Sequence, residues 1–146
     1  MYNDFIIVGP SADPAGVVAA ETVIDAFQRI AVNQSTFISR GDDSGTHKKE
    51  LSLWSAAQQD PATFVFWYKS VGAGMGASRN SASAMDGYIM ADRTSWLNFG
   101  NKGNLKLLFA GDSKLFNQYA YLPVSPDRYA HVKARAAQVL ENWLVS

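Results

Sequence analysis

The chain has 146 residues, 47% of them apolar and 18% charged, a balance that supports a buried core and excludes an intrinsically disordered segment. Thirteen basic residues offset thirteen acidic ones, which argues against a nucleic-acid binder working by bulk counterion release and against a polybasic membrane patch. The absence of cysteine, with His47 and His131 as the only histidines, excludes thiolate chemistry and disulfides and leaves little basis for a metal centre.

In chain order, Phe5-Ile6-Ile7-Val8 is a continuous apolar run stopped by Gly9-Pro10, the pattern of a strand buried on both faces. A turn follows through Ser11 to Pro14. Val23, Ile24, Phe27, Ile30 and Ala31 then form one stripe of an amphipathic helix. Thr36 to Ser39 reads as a short strand. His47, Leu51, Trp54 and Gln58 recur at helical spacing, and Phe64 to Tyr68 fits either strand or helix. A glycine-rich loop, Gly72 to Ala77, precedes a helical pattern reaching towards Met85. Tyr88 to Ala91 is a strand, and Asp92-Arg93-Thr94-Ser95 opens a short helix carrying Trp96, Leu97 and Phe99. Leu105 to Phe109 and a longer run, Gln118 to Val124, are the remaining expected strands. Ala130, Ala137, Leu140, Trp143 and Leu144 mark a C-terminal amphipathic helix. Alternating strands and helices predict an α/β sheet protein. No apolar stretch reaches the length of about 20 residues needed to span a bilayer. Met1 to Phe5 carries neither the basic region nor the apolar run of a signal peptide.

The segment Ser39-Arg40-Gly41-Asp42-Asp43-Ser44-Gly45-Thr46 lies between an expected strand and an expected helix. Free backbone N–H groups and the helix dipole make such a junction an anion site. Asp43 or Ser44 suits the N-cap, whereas Gly45 in the first turn is a poor helix former. A glycine there makes sense where something must approach the backbone closely. Arg40 offers a planar set of donors suited to oxyanions, and Ser39, Ser44 and Thr46 add hydroxyls. The same turn also reads as an ordinary capped helix with Arg40 paired to Asp42 or Asp43. It is not a Walker loop, because Gly41 and Gly45 stand four apart and Thr46 replaces the lysine. The second loop, Gly74-Met75-Gly76-Ala77, could present another fan of N–H groups or serve only close helix–strand packing. Ser44, His47 and Asp42 or Asp43 are the one cluster a hydrolase could use, but no G-x-S-x-G elbow accompanies them.

Tyr2 to Pro10, Ser39 to Leu51, Gly74 to Ala77, Asp92-Arg93 and Leu115-Phe116-Asn117, in that order, resemble the tungstate-binding proteins of bacterial ABC importers. The resemblance implies the type II periplasmic binding-protein fold, two α/β lobes joined by two hinge strands with an oxyanion between them. It implies a ligand site at Ser39, Arg40, Ser44, Gly45 and Thr46, with Gly74, Met75, Gly76 and Ala77 facing the cleft, and hinge crossings at Asp4 to Val8 and after Asn117. Nothing in the sequence matches the threonine- and serine-rich loop of the family's first lobe. The chain is therefore expected to be a second lobe with its first hinge, about 1–117, followed by a return strand and C-terminal helix, about 118–146. The resemblance implies a non-catalytic, periplasmic protein with a permease partner, no cofactor and no metal. Self-association is expected wherever a missing lobe leaves apolar surface uncovered.

Tungstate and molybdate are fully ionised near neutral pH, so their site needs donors and no obligatory acceptor. Phosphate retains a proton and benefits from a carboxylate, so Asp42 and Asp43 keep phosphate, and less strongly sulfate, as alternatives. For an ionised ligand both aspartates should face Arg40, Lys48 or backbone N–H groups instead.

Overall fold

The computed structural model describes residues 2–146, the side chain of Tyr2 excepted. It contains two compact units, Asn3–Asn117 and Gln118–Ser146 with Tyr2.

In the larger unit, β1 (Tyr2–Pro10), β2 (Phe37–Ser39), β3 (Tyr68–Ser70), β4 (Tyr88–Asp92) and β5 (Leu105–Phe109) form a mixed sheet in the order β3-β2-β4-β1-β5. β2 runs parallel to both β3 and β4, and β1 runs antiparallel to β4 and β5. The apolar run at Phe5 to Val8 lies inside the sheet, between β4 and β5, where strand periodicity lets it serve two cores at once. Phe5 and Ile7 join Phe27, Ile30, Phe37, Trp54, Tyr88 and Met90 on one face. Ile6 and Val8 join Ile38, Ala82, Ile89, Ala91, Trp96 and Leu105 on the other. The first face is covered by α1 (Val23–Val32) and α2 (Gly45–Ala56), the second by α3 (Met75–Met85) and the short α4 (Arg93–Leu97). The result is the α/β class the alternating pattern implies.

The helices begin where local chemistry starts them. Thr22 caps α1 by accepting from Asp25 N–H, Ser44 caps α2 by accepting from His47 N–H, and Asp92 caps α4 by accepting from Ser95 N–H. α1 buries Val23, Ala26, Phe27 and Ile30, close to the stripe read from the sequence. α2 forms where the helical spacing places it, and of the residues read there Trp54 is buried. Its inward residues are Glu50, Leu53 and Trp54, while Leu51 is exposed and Gln58 lies beyond the helix at φ 57°. Phe64 to Tyr68 is neither helix nor strand for most of its length, since residues 64–65 have no regular structure and 66–67 form a turn before β3.

The smaller unit holds the C-terminal end of β6 (Phe116–Gln118) and α5 (Ala134–Val145). The strand expected over Gln118 to Val124 is corrected to Phe116–Gln118, and residues 119–124 have no regular structure. Pro123 has no N–H to contribute to a ladder, and Leu122 and Val124 are exposed rather than packed on a sheet face. α5 has no buried residue, and Trp143 on it is 71% exposed.

Candidate anion site

β2 and β3 are parallel neighbours, and the loops after them leave the same end of the sheet. Val71 N–H donates to the Ser39 carbonyl and Ala73 N–H to the Arg40 carbonyl, both at 3.0 Å. Gly41 sits at φ 59° where the two loops meet, and a Cβ there would lie 1.8 Å from Ser70 Oγ. Carboxyl ends of parallel strands are where open α/β sheets bind ligands.

Arg40 is held from one side by Asp42, whose Oδ2 accepts from Nη2 at 2.6 Å and from Nε at 3.1 Å. That fork leaves Nη1 on the far edge of the guanidinium, 3.5 Å from Thr46 Oγ1. Both members of the pair are mostly buried, with side chains 18% and 19% exposed. The Ser44 hydroxyl and Arg40 hold the Asp42 carboxyl down to about 2, and the Ser44 N–H donates to its Oδ1. Asp43 turns outward at φ 57°, with a carboxylate oxygen 3.7 Å from Lys48 Nζ. The aspartates thus face Arg40, Lys48 and a backbone N–H, as the reading for an ionised ligand requires. The Arg40–Asp42 pair of the plain capped-helix reading is present as well, and the two readings share one geometry.

Ser44 Oγ accepts from His47 N–H at 3.2 Å, and its carbonyl accepts from Lys48 N–H. The amides of Gly45 and Thr46 have no hydrogen-bond partner among the described residues, as the first turn of a helix dictates. Arg40, Ser44, Gly45, Thr46, Lys48 and Lys49 line an open cavity of about 480 Å³, with Phe5, Phe116 and Asn117 completing its wall. Three cationic side chains and no carboxylate line it. Lys48 and Lys49 stand near the positive end of the α2 dipole, a placement that negative charge in the cavity would relieve.

Four of the nine expected site residues therefore come together: Arg40, Ser44, Gly45 and Thr46. Ser39 does not line the cavity. It is fully buried, and its hydroxyl donates to Glu50 Oε2 at 2.8 Å. Strand alternation explains this, because Ser39 shares the face of Phe37, towards α2. Gly74, Met75, Gly76 and Ala77 form the start of α3 and are not among the lining residues. Gly74 provides no side-chain cap there, and Ser78 Oγ donates to the Ala73 and Gly74 carbonyls. Lys48, Lys49, Phe116 and Asn117 were missed as candidates for this cavity. The two lysines were legible as the cations nearest the helix start; Phe116 and Asn117, about 70 residues away, stood in the resemblance as the approach to a hinge and not as part of the ligand site.

The hydrolase cluster does not assemble. Ser44 Oγ is engaged with the backbone N–H of His47, and the imidazole Nδ1 accepts from Asp43 N–H at 3.1 Å. No imidazole nitrogen is poised to take the serine proton.

Residues 1–146 match the family described as PBP superfamily domain. A tungstate-binding protein, TupA, of Peptoclostridium acidaminophilum is 40% identical over 148 residues, covering 100% of this chain and 51% of that protein. The solved tungstate-binding protein TupA from Desulfovibrio alaskensis G20 superposes with a TM-score of 0.89 at 43% identity, covering 100% of this chain and 60% of that one. A conserved protein of unknown function from Vibrio parahaemolyticus is 51% identical with a TM-score of 0.78, covering 100% of this chain and 62% of that one. The chain spans about half the length of the curated relatives it matches. A family match along its whole length, over a mixed sheet with a cavity at the carboxyl end of β2, settles the family: this chain belongs to the PBP superfamily.

Proposed function

We propose that the chain is the part of a non-catalytic oxyanion-binding protein that carries its arginine, and that the anion is of the tungstate type, with molybdate as the near equivalent. Arg40 Nη1, the Thr46 hydroxyl and the Gly45 and Thr46 amides are the donors, while the Ser44 hydroxyl serves Asp42 and the helix cap. The observation that carries the reading is the orientation of Arg40. Asp42 occupies its Nε and Nη2, so the guanidinium is fixed with its remaining edge beside Thr46. A preorganised donor set loses less freedom on binding than a mobile one. The names of the similar proteins, tungstate-binding in two genera at 40% and 43% identity, point the same way.

A fully ionised tetrahedral anion is favoured over phosphate because the lining residues include no carboxylate to accept a proton-bearing oxygen. In the full-length protein the ligand would be passed to an ABC importer permease from the periplasm. The deciding experiment is calorimetric titration of this chain and of Arg40→Ala with tungstate, molybdate, phosphate and sulfate. Tungstate should bind the parent chain most tightly and the variant at least tenfold more weakly. Equal binding by both proteins would remove Arg40 from the site, and preference for phosphate would overturn the ligand class.

A further inference from the structure

Glu50 is a carboxylate where a core residue is expected. It is 3% exposed on the inward face of α2, among Leu53, Trp54 and Ala57. Its Oε2 accepts from Ser39 Oγ at 2.8 Å, and its Oε1 accepts from Tyr68 OH at 2.7 Å and from Trp54 Nε1 at 3.1 Å. Burial pushes its carboxyl above the usual range, against the pull of those donors. A leucine would continue the apolar stripe without that desolvation cost, so stability alone does not account for a carboxylate here.

The three donors tie together the parts that make the anion site. Ser39 is the last residue of β2 and immediately precedes Arg40. Tyr68 begins β3, whose following loop donates Ala73 N–H to the Arg40 carbonyl. Glu50 itself lies in α2, whose first turn supplies Gly45 and Thr46. We propose that Glu50 is the positioning residue of the site: it sets the distance between Arg40 at the end of β2 and the donors at the start of α2 without touching the anion. This role rests on the oxyanion reading of the cavity.

The test uses three variants and two readouts. In Glu50→Gln, the amide oxygen can accept from Trp54 and Tyr68 while its nitrogen donates to Ser39 Oγ, so the geometry survives loss of the charge. In Glu50→Leu all three bonds are lost, and in Ser39→Ala only the one beside Arg40. Tungstate affinity by calorimetry should fall about tenfold in Glu50→Leu, the scale on which partners that orient a ligand-holding side chain act. It should fall several-fold in Ser39→Ala and stay within about threefold of the parent in Glu50→Gln. Amide hydrogen exchange across residues 40–46 should quicken in Glu50→Leu and Ser39→Ala and remain at the parent rate in Glu50→Gln, with tungstate absent. Parent-like exchange in Ser39→Ala, or a Glu50→Gln variant as weak as Glu50→Leu, would overturn the positioning role. If Glu50→Leu does not fold, Ser39→Ala and Glu50→Gln carry the decision. A parent chain that binds no tungstate would refute the oxyanion reading alone, since the exchange readout needs no ligand.

Discussion

The loop after β2 and the loop after β3 are built from similar parts and differ in how those parts are held. Each leaves a parallel strand, carries a glycine at positive φ (Gly41 at 59°, Gly72 at 60°) and opens a helix. After β2, side chains fix the turn: Asp42 grips Arg40, Ser44 caps α2, and Glu50 anchors Ser39 from behind. After β3, α3 starts at Gly74 with no side-chain cap. Glycine-rich character alone does not separate a binding loop from a packing turn. The two differ in what holds them: several side chains, one of them charged, fix the first turn, and Ser78 ties the second through the Ala73 and Gly74 carbonyls.

The largest test of this contrast is in binding. Arg40→Ala removes a charge-assisted donor, an interaction worth about 1.5–3 kcal/mol, so affinity should fall about tenfold to a hundredfold. Met75→Ala, at the start of α3, should leave calorimetric affinity unchanged. Comparable losses in the two variants would mean that both loops hold the anion.

Next comes backbone strain. Gly41→Ala and Gly72→Ala impose an unfavourable φ of nearly the same value, costing about 1–2 kcal/mol each. Only at Gly41 does the new Cβ collide, at 1.8 Å from Ser70 Oγ and 3.1 Å from Ser70 Cβ, while Gly72 faces open space. Urea denaturation should therefore show Gly41→Ala to be the less stable of the two. Equal midpoints would mean that the loops separate without cost.

The buried carboxylate behind the first loop adds a pH test that the second loop does not share. Glu50's folded pKa is raised from 4.5, with burial the leading cause. The native state then holds this proton more tightly than the unfolded chain, so its contribution to stability falls as pH rises from about 4.5 through the folded pKa. Glu50→Gln lacks that loss, and its melting temperature relative to the parent should rise between pH 4 and pH 7. Asp4, Asp13 and Asp112, whose pKa values are lowered, titrate in the opposite sense. They are common to both proteins and cancel in the comparison. A difference that does not change with pH would show that Glu50 is not a buried charge.

Much of the fold was legible because its signals are local. Phe5 to Val8 reads as a strand buried on both faces because its apolar run is continuous, Tyr88 to Ala91 reads as a strand, and Val23 to Ala31 reads as a helix because its stripe has one period. The Arg40 to Thr46 turn was legible from the residue types that cap helices and bind anions. What escaped depended on distant partners. Glu50 looks like a solvent-facing charge until Tyr68, eighteen residues away, and Ser39, eleven away, are seen to satisfy it. Ser39 looked like a ligand donor because its side-chain direction follows from the face of β2, which the motif does not state. Gln118 to Val124 has the composition of a strand, but the strand ends at Gln118 and the apolar side chains of residues 119–124 remain exposed.

The smallest expected effect compares two glycines at helix starts. Gly45 is the first residue of α2 and Gly76 the second of α3, and a Cβ at either meets nothing within 4 Å. Alanine at each should stabilise the chain by about 0.4–1 kcal/mol, chiefly by restricting the unfolded backbone. The two should part in binding. Gly45 lines the cavity, so its new methyl stands where an anion would meet the amide, whereas Gly76 does not line it. Gly45→Ala should therefore weaken tungstate binding and Gly76→Ala should not, although both melt slightly higher than the parent. If Gly76→Ala also binds more weakly, the start of α3 belongs to the site after all, and the loop after β3 reaches the anion through its backbone.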